Sequence, residues 1–168
     1  MASTSTNKQP LLVDHVLHEI VDLVGATVEP DTVIDVGGSN GAALLVDCTT
    51  NDGAIIAEIY STARTVASAY TINLYISNAN DFLRPSQAKF IGTFNGATTA
   101  GVRTVWTGMP FLLNPVPHVG ATGGEVVGTQ FQGLYIPKGR ALWAAVRKAT
   151  ATDATAAAPL VAAHGGYY

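Results

Sequence analysis

Residues 134–146, LYIPKGRALWAAV, constrain this chain more than any other stretch. They read as a strand, a tight corner and a second strand. Pro137 holds φ near the value a turn needs at its second position, and Gly139 can take the positive φ that closes the corner. After the corner, Leu142, Ala144 and Val146 point one way while Trp143, Ala145 and Arg147 point the other, the two-residue period of a strand with a buried face. A tryptophan beside Arg147 and Lys148 on the second face implies that this face, too, is partly covered.

Similar segments follow one another along the chain, separated by Gly, Asn and Asp turns. Strands are expected at 32–36, 42–49, 55–61, 70–77, 88–94, 102–107, 131–136 and 141–149. The clearest alternation is Tyr70, Ile72, Leu74 and Ile76 against Thr71, Asn73, Tyr75 and Ser77. Residues 88–94 and 102–107 read as a hairpin around Asn95-Gly96. Residues 78–87 form a polar loop, and 108–124 a long connection with Pro110, Pro115 and Pro117, too long to be idle filler. The alternating helices of a parallel sheet are missing. The fold class is therefore all-β, an antiparallel β-sandwich, either jelly-roll-like or immunoglobulin-like.

Residues 10–24 admit two readings. Val13, Val16, Leu17, Ile20, Val21 and Val24 recur at helical spacing between Pro10 and Gly25. Their β-branched content favours an extended arm laid along a neighbour instead. Residues 1–24 are accordingly assigned to an N-terminal arm and 25–168 to one sandwich domain.

Charged residues make up only 12% of the 168, about half the usual share, so the surface is solvated by Ser, Thr and Asn or covered by neighbours. The net charge of -3 argues against nucleic acid or an anionic membrane as the main partner. Its distribution is uneven. Residues 1–63 hold nine acids against Lys8, whereas residues 64–168 hold eight bases against Asp81, Glu125 and Asp153. That asymmetry suits complementarity between the halves, within a subunit or between subunits. The single cysteine, Cys48, rules out an internal disulfide and a Cys-based zinc site, and its alternation with Leu44 and Val46 marks it as a small buried hydrophobe.

The chemical motifs are weak. DVGGSNG at 35–41 resembles the glycine-rich loop of S-adenosylmethionine-dependent methyltransferases, but too few residues follow for the helix and second strand that such a site needs. His15, His18 and Glu19 sit at ligand spacing only if helical, and do not form His-Glu-x-x-His. No Gly-x-Ser-x-Gly elbow is present, and the acids lie in turns or the arm rather than as a pair on scaffold strands. Tyr60, Tyr70, Tyr75, Trp106, Trp143, Tyr167 and Tyr168 have the composition of a sugar platform, but in a sandwich they are better used as core or interface. Catalytic, cofactor-binding and metal-binding residues are all expected to be absent.

The arm MASTSTNKQPLLVD at 1–14, the segment AALLVDCTTNDG at 42–53, the 134–146 unit and the GGYY ending resemble small virion structural proteins of tailed phages, notably those of cyanobacteria. The resemblance implies a β-sandwich that assembles symmetrically on capsid or tail. The expected function is a non-enzymatic capsid decoration (cement) protein that bridges capsomers, with a tail, neck or fibre-base component as the alternative and a carbohydrate-binding module as a third reading. Its partners would be itself, as a homo-oligomer such as a trimer, and the major capsid protein or other virion proteins. The expected contact set is Pro10, Leu11, Leu12, Val16, Leu17, Phe111, Leu112, Pro115, Pro117, His118, Trp143, Tyr167 and Tyr168. The expected location is the virion, with assembly in the host cytoplasm.

Overall fold

The computed structural model describes residues 15–23, 34–35, 42–64, 70–78, 80, 82–83, 87–109, 111–112, 131–148 and 159–168. Among them every regular element is a strand. Five antiparallel pairings run from the outer strands of the chain inward. β1 (His15–Asp22) lies along β13 (Leu160–Tyr167), and β3 (Ala42–Asp47) along β12 (Ala141–Lys148). β4 (Gly53–Thr62) takes β8 (Arg103–Val105) at one end and β11 (Leu134–Pro137) at the other. β5 (Tyr70–Ser77) pairs with β7 (Lys89–Asn95). Two short pairs complete the set, β2 (Ile34–Asp35) with β6 (Phe82–Leu83) and β9 (Phe111–Leu112) with β10 (Phe131–Gln132).

These pairings describe one long antiparallel ribbon, and rolling it up sets β13 against β4 and β12 against β5. The first sheet then runs β1-β13-β4, with β11 and β8 end to end along the far edge of β4, and the second runs β3-β12-β5-β7. Among the eight main strands β1, β3, β4, β5, β7, β8, β12 and β13, only the β5–β7 link stays within one sheet. An immunoglobulin-like chain keeps several consecutive strands together, so this connectivity is that of a jelly roll.

The core lies between the sheets. Ile56, Ile59, Val161 and Ala163 from the first meet Ile72, Leu74, Leu142, Ala144 and Val146 from the second. One polar pair is enclosed there, the Ser61 hydroxyl 2.9 Å from the Tyr70 hydroxyl, each satisfying the other as buried polar groups must. Residues 15–22 form a strand with Leu17 fully buried. The extended reading holds for residues 15–22, which pair within the first sheet; residues 1–14 and 24 of the expected arm lie outside the described residues.

The corner expected after Ile136 exists and carries the ribbon from one sheet to the other. Pro137 is its first residue and not its second, since the Pro137 carbonyl accepts from the Arg140 N–H (3.2 Å) with Lys138 and Gly139 between them. β11 and β12 belong to different sheets, as do β3 and β4, and the two links cross side by side. The Cys48 N–H donates to the Arg140 carbonyl (2.9 Å) and the Gly139 N–H to the Cys48 carbonyl (2.8 Å). Gly139 has φ of 79°, a conformation that costs other residues roughly a kcal/mol or more. Asp47 braces the same corner. It accepts from the Thr49 N–H (2.8 Å), the Thr49 hydroxyl (2.6 Å) and the Asn80 amide (2.9 Å). Burial alone would raise its pKa, but these hydrogen bonds outweigh burial and hold the carboxyl below its ordinary value.

Two expectations are corrected. Residues 88–94 and 102–107 are no hairpin, because β7 and β8 lie in different sheets. The Gly96 N–H is taken by the Tyr70 carbonyl (3.0 Å), the chain crosses over, and the Gly101 N–H reaches the Ala63 carbonyl (2.7 Å). The strand expected at 131–136 breaks at Gly133 into β10 and β11. The residues 159–168, left without an element by the sequence reading, supply β13, an inner strand of the first sheet. Its two glycines disguise it. At Gly165 the β4 backbone bulges around Ala57, and a Cβ on Gly165 would run into the Ile55 carbonyl oxygen.

Gly165→Ala is expected to cost about 1–3 kcal/mol, seen as a lower urea midpoint with an unchanged slope. Asp47→Asn tests the corner. A lowered folded pKa contributes stability that is complete above the ordinary carboxylate value of 3.8 and lost as pH falls through the lower folded value. The variant should be less stable than the parent at neutral pH, and the gap should close below that value in acid unfolding curves.

Candidate interaction surface

The alternation of side chains across the first sheet assembles an outward face from β1, β13, β4, β8 and β11. Register places Val16, Gly166, Ile55 and Tyr135 in one row, His18, His164 and Glu58 in the next, and Ile20, Ala162, Tyr60 and Val105 in a third. Val16 is 72% exposed, Ile20 52% and Tyr135 46%. Apolar positions therefore flank a polar middle. There the His18 and His164 rings stand edge to face with centroids 5.6 Å apart, and His18 Nε2 lies 3.3 Å from the Tyr60 hydroxyl. The Arg103 guanidinium covers the Tyr60 ring at 3.8 Å and pairs with Glu58. At the border Arg64 reaches Asp22 at 2.6 Å.

These ion pairs, with Lys138 and Asp52 at 2.7 Å, each join an acid of the first half to a base of the second. The charge asymmetry thus works within the subunit. The rolled ribbon explains it, since it folds early strands against late ones.

The second sheet differs. Its outward face carries a cluster of its own, Trp143 with Ala42, Tyr75, Ala141 and Ala145, and with Leu44 and Ala88 packed against it. Trp143 lies between Leu44 and Tyr75 in register and is 0% exposed. β12 is therefore buried on both faces, as the position of its tryptophan suggested. Beyond the cluster, Phe90 stands 58% exposed, its ring 5.7 Å from that of Tyr75.

The expected contact residues scatter. Val16 is fully available on the outward face, whereas Leu17 points into the core. Trp143, Tyr167 and Tyr168 are buried within their own subunit and cannot meet a partner in this conformation. Tyr167 stacks on His15 at 4.9 Å, and its hydroxyl is pushed up to about 12, first by burial and then by Glu19, Cys48 and Asp47. Phe111 and Leu112 form β9, and their side chains lie outside the described residues, as do Pro10, Leu11, Leu12, Pro115, Pro117 and His118. Sequence reasoning missed Tyr135, His164 and Phe90, and held Ile20 only as part of the contact arm at 1–24. Ile20 and His164 became legible only once β1 and β13 were known to be neighbouring strands.

The loop expected at 108–124 leaves from an informative place. β8 and β11 fill successive halves of one strand position along β4, which the chain leaves after Val105 and rejoins at Leu134. Residues 110 and 113–124 of the expected loop lie outside the described residues. Trp106 and Met109 are buried where it departs, and the Trp106 N–H donates to the Ile59 carbonyl at 2.8 Å.

Among the described residues, no three His, Cys, Asp or Glu side chains are grouped to hold a metal ion, and no helix is long and apolar enough to cross a membrane. Comparison with known proteins finds no matching family model, curated protein or solved structure.

With Trp143 at 0% and Trp106 at 5% exposure, tryptophan emission should be blue-shifted and resist acrylamide quenching. Trp143→Ala is expected to cost about 3–5 kcal/mol, so any binding it loses should track unfolding in parallel denaturation curves.

Proposed function

We propose that this chain is a non-enzymatic structural subunit of a virion, a capsid decoration protein that bridges capsomers and associates with copies of itself. The observation that carries the reading is the outward face of the first sheet, where Val16, Ile20, Val105 and Tyr135 stand exposed around a salt-bridged middle. Isolated surface apolar residues are ordinary, but several sharing one sheet face suit a contact surface. Fold alone does not assign a function. Two of the segments that carry the resemblance to phage structural proteins meet in space. Residues 42–53 and 134–146 build one corner, tied by the Cys48, Gly139 and Arg140 bonds and by the Lys138–Asp52 ion pair.

In this role each contact is modest. Apolar burial contributes roughly 25 cal/mol per Å² before ordering costs are subtracted. Many copies engaged at once convert such contacts into durable attachment. A tail, neck or fibre-base station would use the same face. The carbohydrate reading loses its tryptophans, both of which are buried.

The test is to mix purified protein with capsid shells that lack it and count bound copies by cryo-electron microscopy. Occupancy in proportion to capsomers supports the shell, and occupancy that follows tail symmetry supports the tail. Deleting residues 1–12 should leave the circular dichroism of the sandwich intact while abolishing occupancy, and undiminished occupancy would remove the arm from this role. Binding to a glycan array in place of particles would overturn the virion reading.

A further inference from the structure

Among the described residues, β1 alone of the edge strands of the two main sheets is left open. β8 and β11 are short, with three and four residues, and β11 ends in Pro137. β7 carries Lys89 and a register shift at Ile91. No residue of β3 is exposed. Those features blunt an edge against pairing with another chain. β1 has none of them. It runs eight residues without Lys, Arg or Pro, six of them exposed, and keeps unbroken register with β13.

The direction of its free backbone groups follows from one bond. The Leu23 N–H donates to the Pro159 carbonyl at 3.0 Å, in step with the Asp22–Leu160 pair. In an antiparallel strand both polar groups of a residue point the same way, and the direction alternates along the chain. The odd-numbered residues therefore bond to β13, and Val16, His18, Ile20 and Asp22 aim theirs at the open edge. The side chains of these four lie on the outward face.

We propose that β1 is a self-recognition edge, at which two copies of this chain pair β1 antiparallel to β1 with His18 opposite the partner's His18. Both first sheets then join into one continuous sheet. This register is selected by its neighbours. Val16 falls opposite the partner's Ile20 and Ile20 opposite the partner's Val16, so each exposed apolar side chain gains an apolar mate. All three pairs use residues whose N–H and C=O already face the edge. A shift of two residues one way sets Glu19 against the partner's Glu19, like charges directly opposed. A shift the other way sets Val16 against the partner's His18. Asp22 stays engaged with its own Arg64. The contact is isologous and closes at two copies, unlike the head-to-tail contact that a trimer needs. It does not rest on the virion reading: a dimer that ignores capsids would uphold this inference and sink that one.

Sedimentation equilibrium of the full chain over a range of concentrations tests it. A dimer is expected, and a monomer throughout would overturn the proposal. Val16→Pro removes a donor that points only at the open edge, and should weaken association roughly ten-fold or more. Ile20→Lys should do the same through the outward face, and decides the matter if the proline disturbs folding. Association unchanged by both would overturn the proposal. His18→Cys, oxidised with diamide, should cross-link into a covalent dimer, because opposed residues in such a pair lie about 5.5 Å apart at Cα, within disulfide range. Cys48 is buried and does not compete. Cross-linking through Glu19→Cys and not through His18→Cys would overturn the register.

Discussion

Everything in this fold depends on the backbone ladder that holds β13 between β1 and β4. That ladder joins residues near 20 to residues near 160, so it is made only after the whole ribbon has been rolled. Pairing over such separations must overcome the loop-closure entropy of nearly the entire chain before it returns any stability. Once made, it brings Leu17, Ile59, Val161 and Ala163 onto one inner face and completes one wall of the core. The close approach at Gly165 belongs to the same ladder. A side chain there would push β13 off β4 and open the sandwich along its middle.

The electrostatics follow from the same roll. Acids crowd the first part of the chain and bases the second, and a ribbon folded back on itself makes them neighbours. Asp22 meets Arg64, Glu58 meets Arg103, and Asp52 meets Lys138. Each pair is partly exposed and contributes at most about 1 kcal/mol. Their larger effect is on specificity, since a ribbon rolled in another register would set like charges together.

Much of this architecture was legible in the sequence because a two-residue period is a local signal. β5 and β12 announce themselves by alternation, and the corner between β11 and β12 by Pro137 and Gly139. Pairing is not local. Nothing in residues 88–107 reveals that β7 and β8 belong to different sheets, and Asn95-Gly96 mimics a hairpin turn where the chain in fact departs. β13 was hidden because Gly165 and Gly166 count against a strand in any propensity scale, while a neighbouring backbone requires the smallness of Gly165. The contact surface was harder still. An aromatic residue reads alike whether it faces a partner or a covering layer, so Trp143 and the tyrosines at 167 and 168 were expected at a contact between subunits and are covered by their own chain. Ile20, by contrast, looked like one more residue of an arm and stands open on the sheet.

The direct opposition of His15 and Tyr167 in the ladder has a mechanical consequence. Tension applied through the backbone at these two positions would load the rungs between β1 and β13 singly, and the sheet would unzip under a small force. Tension spread over the broad face of the first sheet is carried instead by several strands in parallel. A subunit of this shape resists stretching when it is gripped by its face, and comes apart when it is pulled by its strand ends.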